Sequence, residues 1–320
     1  MHSSNCRVIE QVCQWLDEEE HVWLASIVAT WGSSPRPAGS LLAYSPGKGI
    51  AGSLSGGCVE EDLLRQLANN NIETTPSIHS YGLTKNDQLK LALPCGGNLS
   101  ILLERLEKEF HLPHFREIEA TLQQGQLISR QVCTQTGALA LQSGSTPSID
   151  QNQTSINHTL GPAFKLLLTG AGETTRCVAE LAQAVDFAVT VCDFRDEFIE
   201  GWSMDDVELV KAFPDDIVRE GFMGANAAII ALAHDPRVDD MALMEAFNGN
   251  AFYIAAMGSS QTSEKRRARL IELGVSSDQL TRLFAPAGIP TGSKTPWEIA
   301  ISVVAQLTAE RNRILQNKLS

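Results

Sequence analysis

Apolar positions recur along this 320-residue chain in three rhythms: helical spacing, short β-branched runs and solid apolar blocks. Residues 5–19 place Val8, Val12, Trp15 and Leu16 on one stripe, which predicts an amphipathic helix. Val22–Thr30 is a β-branched, apolar run and reads as a strand. Leu41–Tyr44 and Ile50–Leu54 flank the turn sequence SPGKG and read as a hairpin. Gly56-Gly57 then opens a helix from Cys58 to Ala68, with Glu60, Glu61 and Asp62 in its first turn, where a helix favours negative charge. Leu91-Ala92-Leu93 runs into Pro94-Cys95-Gly96-Gly97, and Leu99–Leu103 forms a further strand. A helical segment and short strands follow over 114–142, with Val132–Leu141 as a hairpin.

The second half has a different grammar. Leu166-Leu167-Leu168 predicts a strand buried on both sides. It breaks at Gly170-Ala171-Gly172 and passes into a helix with Val178, Leu181 and Ala182 on one face. Val189–Cys192 is a second strand, ending in Asp193. Strand, glycine turn, helix and a strand ending in an acid about 20 residues on is the order of a dinucleotide-binding βαβ unit. Gly170 and Gly172 would let backbone approach a phosphate, and Asp193 would accept hydrogen bonds from a ribose. Against this, the third fingerprint position holds Thr175, and Glu173 would set a negative charge against any diphosphate.

Val207–Phe213 fits either strand or helix; Ala227–Ala233 and Phe252–Ala256 are apolar strands. They end at His234-Asp235 and at Gly258-Ser259-Ser260, on the same carboxyl edge as Gly170. That edge is the ligand crevice of a doubly wound sheet. Glu264–Leu273 reads as a helix whose Lys265, Arg266, Arg267 and Arg269 form a solvated face. Thr295 and Pro296 cap a long closing helix, a feature that points to a homodimer.

The expected fold class is therefore α/β: an N-terminal α+β domain over residues 1–110, then a Rossmann-like domain with a parallel sheet over 163–320. Between them, 111–162 reads as a connecting segment, with a polar linker from about 143 to 162. A net charge of −13 argues against nucleic acid as the main partner. No stretch is long and apolar enough for a membrane span, and the N-terminal residues lack the apolar core of a signal peptide. Seven scattered cysteines without a C-x-x-C pair fit a reducing cytoplasm.

Two of those cysteines carry the sharpest chemical signal. Cys58 and Cys95 each abut paired glycines, Gly56-Gly57 and Gly96-Gly97, which expose backbone N–H groups. Cys58 also begins a helix, a setting that favours the thiolate. Small residues filling tight turns are the competing explanation, and two cysteines fall short of a structural zinc site. Arg36, between two prolines, is either an anion contact or a solvated loop residue. Ser259, ahead of a basic helix, could meet an anion in the crevice; His234 with Asp235 is either an acid/base pair or plain loop. Trp31 and Tyr44 read as core, and Cys177 and Cys192 as inert packing. No Ser-His-Asp order, phosphate-binding lysine loop or H-E-x-x-H is present, so no catalytic set emerges.

Taken together, TWGSSPRPAGSLLA, GSLSGGCVEEDLL, LPCGGNLSILLE, LLLTGAGETTRCVAELA, VTVCDFRDEF, ALAHDPRVDD, AFYIAAMGSSQT and APAGIPTGSKTPWEIAISVVAQL resemble the XdhC/CoxI family over nearly the whole chain. The resemblance implies a chaperone that binds the molybdenum cofactor, as molybdopterin or its cytosine dinucleotide. It would protect the terminal sulfido ligand and pass the cofactor to an apo molybdenum hydroxylase of the xanthine dehydrogenase or aldehyde oxidoreductase type. A cysteine desulfurase or cofactor-supplying enzyme is a further implied partner. Cys58 and Cys95 match the motif cysteines nearest the molybdenum, where thiolates suit a soft metal. One departure stands out: Glu173 replaces the histidine that many members carry in GAGH. Two other readings compete. An NAD(P)-dependent oxidoreductase would use Asp193 but leave the cysteine loops unexplained, and a pure docking protein would act through its acidic surface.

Overall fold

The computed structural model describes residues 4–32, 36–68, 75–82, 98–144, 147–204, 207–292 and 294–319. The chain divides into two compact units, residues 1–161 and 162–320.

The first unit begins with helix α1 (Ser4–Glu18), whose Val8, Ile9, Val12 and Leu16 are buried as the stripe requires. Strands β1 (His21–Trp31), β2 (Leu41–Ser45) and β3 (Gly49–Gly52), helix α2 (Cys58–Ala68), and strands β4 (Ser77–Tyr81) and β5 (Asn98–Glu107) follow. They build an antiparallel five-stranded sheet in the order β3-β2-β1-β5-β4. Alternation along β5 sends Leu99, Ile101 and Leu103 to one face, where they meet Val59, Leu63 and Leu67 of α2. Leu106 turns to the other face and packs with α1 and with Phe115 and Ile118 of helix α3 (Lys108–Gln123).

The helix and the Val132–Leu141 hairpin expected after residue 110 are present, whereas the stretch from about 143 to 162 expected as a polar linker is structured instead. Strands β6 (Ile128–Cys133), β7 (Leu139–Ser143), β8 (Ser148–Gln151) and β9 (Ser155–Leu160) form a four-stranded antiparallel sheet in the order β7-β6-β9-β8. Of the polar residues that suggest a linker, Ser148, Asn152, Gln153 and Thr154 are exposed on its strands and turns. Ile156 and Leu160 alternate inward, Ile156 meeting Val28 and Leu102. Arg130 of β6 reaches Glu104 of β5 in a two-pronged pair, 3.0 and 2.7 Å, with both side chains almost wholly buried. The guanidinium lies over the Phe115 ring, 5.3 Å from its centroid. Arg130 also faces His158, whose imidazole is 3% exposed. Burial, with the Arg130 charge, pushes that imidazole from 6.5 down to about 3.

The second unit is a parallel six-stranded sheet. Strands β10 (Phe164–Thr169), β11 (Phe187–Asp193), β12 (Glu208–Lys211), β13 (Ala227–Ala231), β14 (Tyr253–Ala256) and β15 (Leu283–Phe284) lie in the order β12-β11-β10-β13-β14-β15. The order reverses between β10 and β13, which makes their carboxyl ends the switch point of a Rossmann fold. Leu166 and Leu168 face helix α4 (Glu173–Ala184), while Leu167 faces the opposite layer. A short helix α5 (Asp196–Ile199) follows β11, then helices α6 (Pro214–Gly221), α7 (Pro236–Ala246), α8 (Ser260–Glu272), α9 (Ser277–Leu280) and α10 (Pro296–Leu319). The ambiguous 207–213 run resolves as strand β12. Helix α10 packs Ala300, Val303 and Leu307 on the α4 side of the sheet. Its start is capped reciprocally: Thr295 Oγ1 accepts the Glu298 N–H, and Glu298 accepts the Thr295 N–H. No helix among the described residues is long and apolar enough to cross a membrane.

Glu104→Ala would leave Arg130 buried without its carboxylate. Urea unfolding should show a loss of about 3–5 kcal/mol, the usual cost of breaking a buried pair from one side. His158 gives a second test. Below pH 6.5 the unfolded chain takes up a proton that the native imidazole refuses, so stability falls as pH drops. The slope should be about 1.4 kcal/mol per pH unit per such group. Between pH 6.5 and 5, His158→Gln should unfold with a shallower dependence on pH than wild type, measured from urea midpoints.

Candidate functional sites in the two units

In the first unit the glycine–cysteine loop is built around a residue that sequence reasoning placed only in a helix's first turn. Glu60 is 6% exposed and folds back over residues 53–57. Its Oε1 accepts the backbone N–H groups of Leu54 and Ser55 at 2.9 Å, that of Gly56 at 3.0 Å, and the Ser53 hydroxyl at 2.8 Å. Its Oε2 accepts the Gly57 N–H at 3.0 Å and the Ser55 hydroxyl. Burial opposes the charge on Glu60. The hydrogen bonds, led by those from Ser55, outweigh burial and hold the carboxyl far below its usual range. Leu54 anchors the same loop in the core.

Gly56 and Gly57 adopt φ of 89° and 153°, a curl that aims successive amides at one point. Their N–H groups, expected to be offered to a ligand, are therefore taken by Glu60. Among the described residues, a Cβ on either glycine would meet nothing within 4 Å, so that side of the turn is open to them. Cys58 is the first residue of α2, and only its backbone placement is described. Cys95, Gly96 and Gly97 lie outside the described residues. Arg36 is exposed. Trp31, expected in the core, is half exposed at the end of β1.

In the second unit the crevice at the ends of β10 and β13 is closely fitted. Gly170 has φ 89°, and a Cβ there would sit 2.5 Å from the Ala233 Cα, so only glycine lets these two turns approach. Gly172 is the N-cap of α4, with open space around it. Glu173 is the first residue of α4 rather than a turn residue, paired with Arg176 at 2.6 Å. Its charge suits the helix N-terminus. Thr175, at the third fingerprint position, is buried.

Asp193 differs from its expected role as ribose acceptor. It is fully buried, and its Oδ2 accepts the Ala171 N–H at 2.9 Å and an Arg195 guanidinium N–H at 2.7 Å. Its Oδ1 accepts the Arg195 N–H at 3.1 Å and Nε–H at 2.9 Å. Burial works against this carboxylate, yet the Arg195 and Ala171 hydrogen bonds hold it below its ordinary range. The acid at the end of β11 thus ties down the glycine turn. Arg195, stacked 3.9 Å from the Phe198 ring centroid, stands over it.

The basic helix face also differs from expectation. Arg266 is 3% exposed and donates to Asp239 Oδ2 at 2.8 Å and to the Met257 carbonyl at 3.1 Å. Asp239, fully buried, accepts in addition the Thr169 hydroxyl and the Ala233 N–H, each at 3.0 Å. One ion pair therefore joins the turns after β10, β13 and β14. Arg269 pairs with Asp240, and Arg267 donates to the Leu280 and Leu283 carbonyls, both at 2.8 Å. These side chains are long enough for their stems to lie on the sheet layers while their heads find acceptors. Asp239 and Asp240 close the ALAHDPRVDD stretch, where neither was singled out as a site residue. Beyond that stretch, the signal for their pairing was two adjacent acids on one helix and a run of arginines on the next.

Ser259 N-caps α8, its Oγ accepting the Thr262 N–H at 3.1 Å. His234 is exposed at φ 57°. Asp235 caps α7, and hydrogen bonds from Arg237 pull its carboxyl down to about 2. The two neighbours do not form an acid/base pair, since Asp235 is held by Arg237. Cys177 and Cys192 are buried, and burial pushes the Cys192 thiol up to about 12, as suits packing. No group of three His, Cys, Asp or Glu among the described residues could hold a metal ion.

Residues 166–307 match the XdhC Rossmann domain, and residues 15–82 match the XdhC and CoxI family. The chain belongs to the XdhC and CoxI family. It is 26% identical over 325 residues to a probable xanthine dehydrogenase subunit of Bacillus subtilis (strain 168), covering 93% of this chain and 96% of that one. It is 24% identical over 288 residues to the molybdenum cofactor insertion chaperone PaoD of Escherichia coli (strain K12), covering 90% and 83%. The crystal structure of a xanthine dehydrogenase from Bacillus halodurans shares the fold, with a TM-score of 0.72 at 24% identity over 97% of this chain and 96% of that one. Within this XdhC and CoxI member, the N-terminal match takes in Arg36, Gly56, Gly57 and Cys58, and the C-terminal match spans β10 through the first half of α10.

Arg266→Met should destabilise the protein by about 3–5 kcal/mol at pH 7. Burial already pushes the Asp239 carboxyl above its usual range, against the pull of Arg266. Without Arg266 the native state holds a proton there that the unfolded chain has released, so stability must fall as pH rises above about 4. Urea unfolding at pH 5 and 7 should show the larger deficit at pH 7; equal deficits would rule out the pairing argument.

Proposed function

We propose that this protein is a molybdenum cofactor-binding chaperone that shields its cargo and inserts it into an apo molybdenum hydroxylase. The observation that carries the reading is the loop of residues 53–57, fixed by Glu60 ahead of Cys58, with the outer side of its glycines open. A fixed loop beside a cysteine suits a soft, dithiolene-bound metal better than it suits bond-breaking, which needs an acid, a base or a nucleophile–base pair in contact. Likeness over most of both chains to a molybdenum cofactor insertion chaperone supports the same reading.

In this reading Cys58 and Cys95 meet the metal end, with Gly56, Gly57, Gly96 and Gly97 allowing close approach. Arg36 neutralises part of the cargo's negative charge. The Rossmann unit has a candidate nucleotide or phosphate site of its own, lined by Gly170, Gly172 and Ser259, while Asp193 holds the glycine turn and keeps its own oxygens occupied. That occupancy counts against a nicotinamide-dependent oxidoreductase, whose ribose needs a free acceptor there. The cargo is passed on unchanged, so the protein needs no turnover of its own.

Equilibrium binding of molybdenum cofactor, in its simple and cytosine dinucleotide forms, tests the proposal on wild type, Cys58→Ala and Cys95→Ala. Wild type should bind one form tightly without oxidising or reducing NAD(P). Each alanine variant should keep its melting temperature and bind about tenfold or more weakly, the equivalent of one lost interaction of about 1.4 kcal/mol. Unchanged binding and delivery in both variants would remove the thiols from the mechanism. NAD(P) turnover without cofactor binding would replace the chaperone by an oxidoreductase.

A further inference from the structure

Successive backbone amides curled by two glycines of positive φ form a nest that ordinarily receives an anion from outside. In this chain four N–H donors and two hydroxyls converge on one internal carboxylate, Glu60, six residues or fewer from each of them except Ser53. The loop amides of residues 54–57 that could attract phosphate are satisfied before any ligand arrives. We propose that Glu60 is the specificity-determining and positioning residue of the Cys58 loop: it fills the loop's anion nest, so the loop offers Cys58 to the soft metal end of the cargo and refuses a free phosphate.

The proposal rests on the reading that this loop meets the cargo, and it divides the cargo chemically. A phosphate group gains its binding from unpaired N–H donors and positive charge. Around residues 53–57 the donors are spent on Glu60, and its negative charge repels a second anion. A dithiolene-bound metal asks instead for a soft donor and close backbone approach. Gly56 and Gly57 permit that approach, since no atom of the described residues crowds their outer side. The phosphate must then be held by other residues, which makes the cargo's orientation a consequence of Glu60.

The test uses the full chain with Glu60→Ala and Glu60→Gln. Alanine empties the nest, so the melting temperature of that variant should fall and then rise saturably with acetate or inorganic phosphate, while wild type does not respond. Cys58 alkylation by iodoacetamide, followed by peptide mass spectrometry across pH, should change its profile in Glu60→Ala and return to the wild-type profile when acetate refills the nest. Binding of molybdenum cofactor to Glu60→Ala should weaken about tenfold when phosphate is added, against no change in wild type. If alanine prevents folding, Glu60→Gln decides. Its amide oxygen can keep the Leu54, Ser55 and Gly56 N–H bonds, while its NH2 group opposes the Gly57 N–H. It should therefore shift the alkylation profile with no rescue by acetate. A folded Glu60→Ala that ignores both anions, or a wild-type alkylation profile in Glu60→Gln, overturns the proposal. Failure of Cys58→Ala to affect cargo binding would instead sink the thiol reading and leave the anion and alkylation results standing.

Discussion

Charge that cannot be left alone in the interior is the constraint on which the crevice depends. Asp239 lies under the ends of three parallel strands with no exposure to water. A carboxylate in that position is tolerable only with a cation and with its remaining lone pairs filled. Arg266, the Thr169 hydroxyl and the Ala233 N–H supply this, and each comes from a different element. The requirement of one carboxylate therefore sets the relative positions of the β10, β13 and β14 turns. The same logic recurs in the first unit, where Glu104 and Arg130 join two sheets. It recurs again at Glu60, where hydrogen-bond donors stabilise the buried charge.

This pattern changes how the glycine turns are understood. A Rossmann turn usually presents its amides and its second-strand acid to a ligand. Here the Ala171 amide and Asp193 satisfy each other, and Arg195 closes the remaining positions on that acid. In the other unit the Gly56 and Gly57 amides are likewise taken internally. Both turns are preorganised by the chain's own carboxylates. Loops already satisfied in this way fit the proposed handling of a cofactor, because few of their backbone groups would need new partners on binding or release.

Much of the fold was legible in the sequence. Solid apolar runs at 166–168, 227–233 and 252–256 could only be strands buried on both faces, and the helical stripe of Val8, Val12 and Leu16 could only face a core. The β8–β9 region was not legible as sheet. Its strands are short and mostly polar, and what commits them is Ile156 and Leu160 fitting under a neighbouring layer. Within the candidate sites, the GGC loop and the Gly170 turn announced themselves because glycine at φ above zero has no substitute. Glu60, Asp239 and Arg266 did not, since a charged residue on a helix reads as solvated until its neighbours are known.

The sequence by itself determined the periodicities, and through them the two fold classes, the parallel sheet and the positions of both glycine turns. It also determined the absence of a recognisable catalytic order along the chain. Only tertiary structure decided which charges are buried and with whom, because a partner such as Asp239 for Arg266 lies 27 residues away. Local spacing cannot encode a contact made between two helices that a strand separates in the chain. It likewise required folded geometry to show that Asp193 and Glu60 spend their oxygens inside the protein. Hydrogen-bond satisfaction belongs to the packed arrangement of donors and acceptors and not to any one residue's place in the chain.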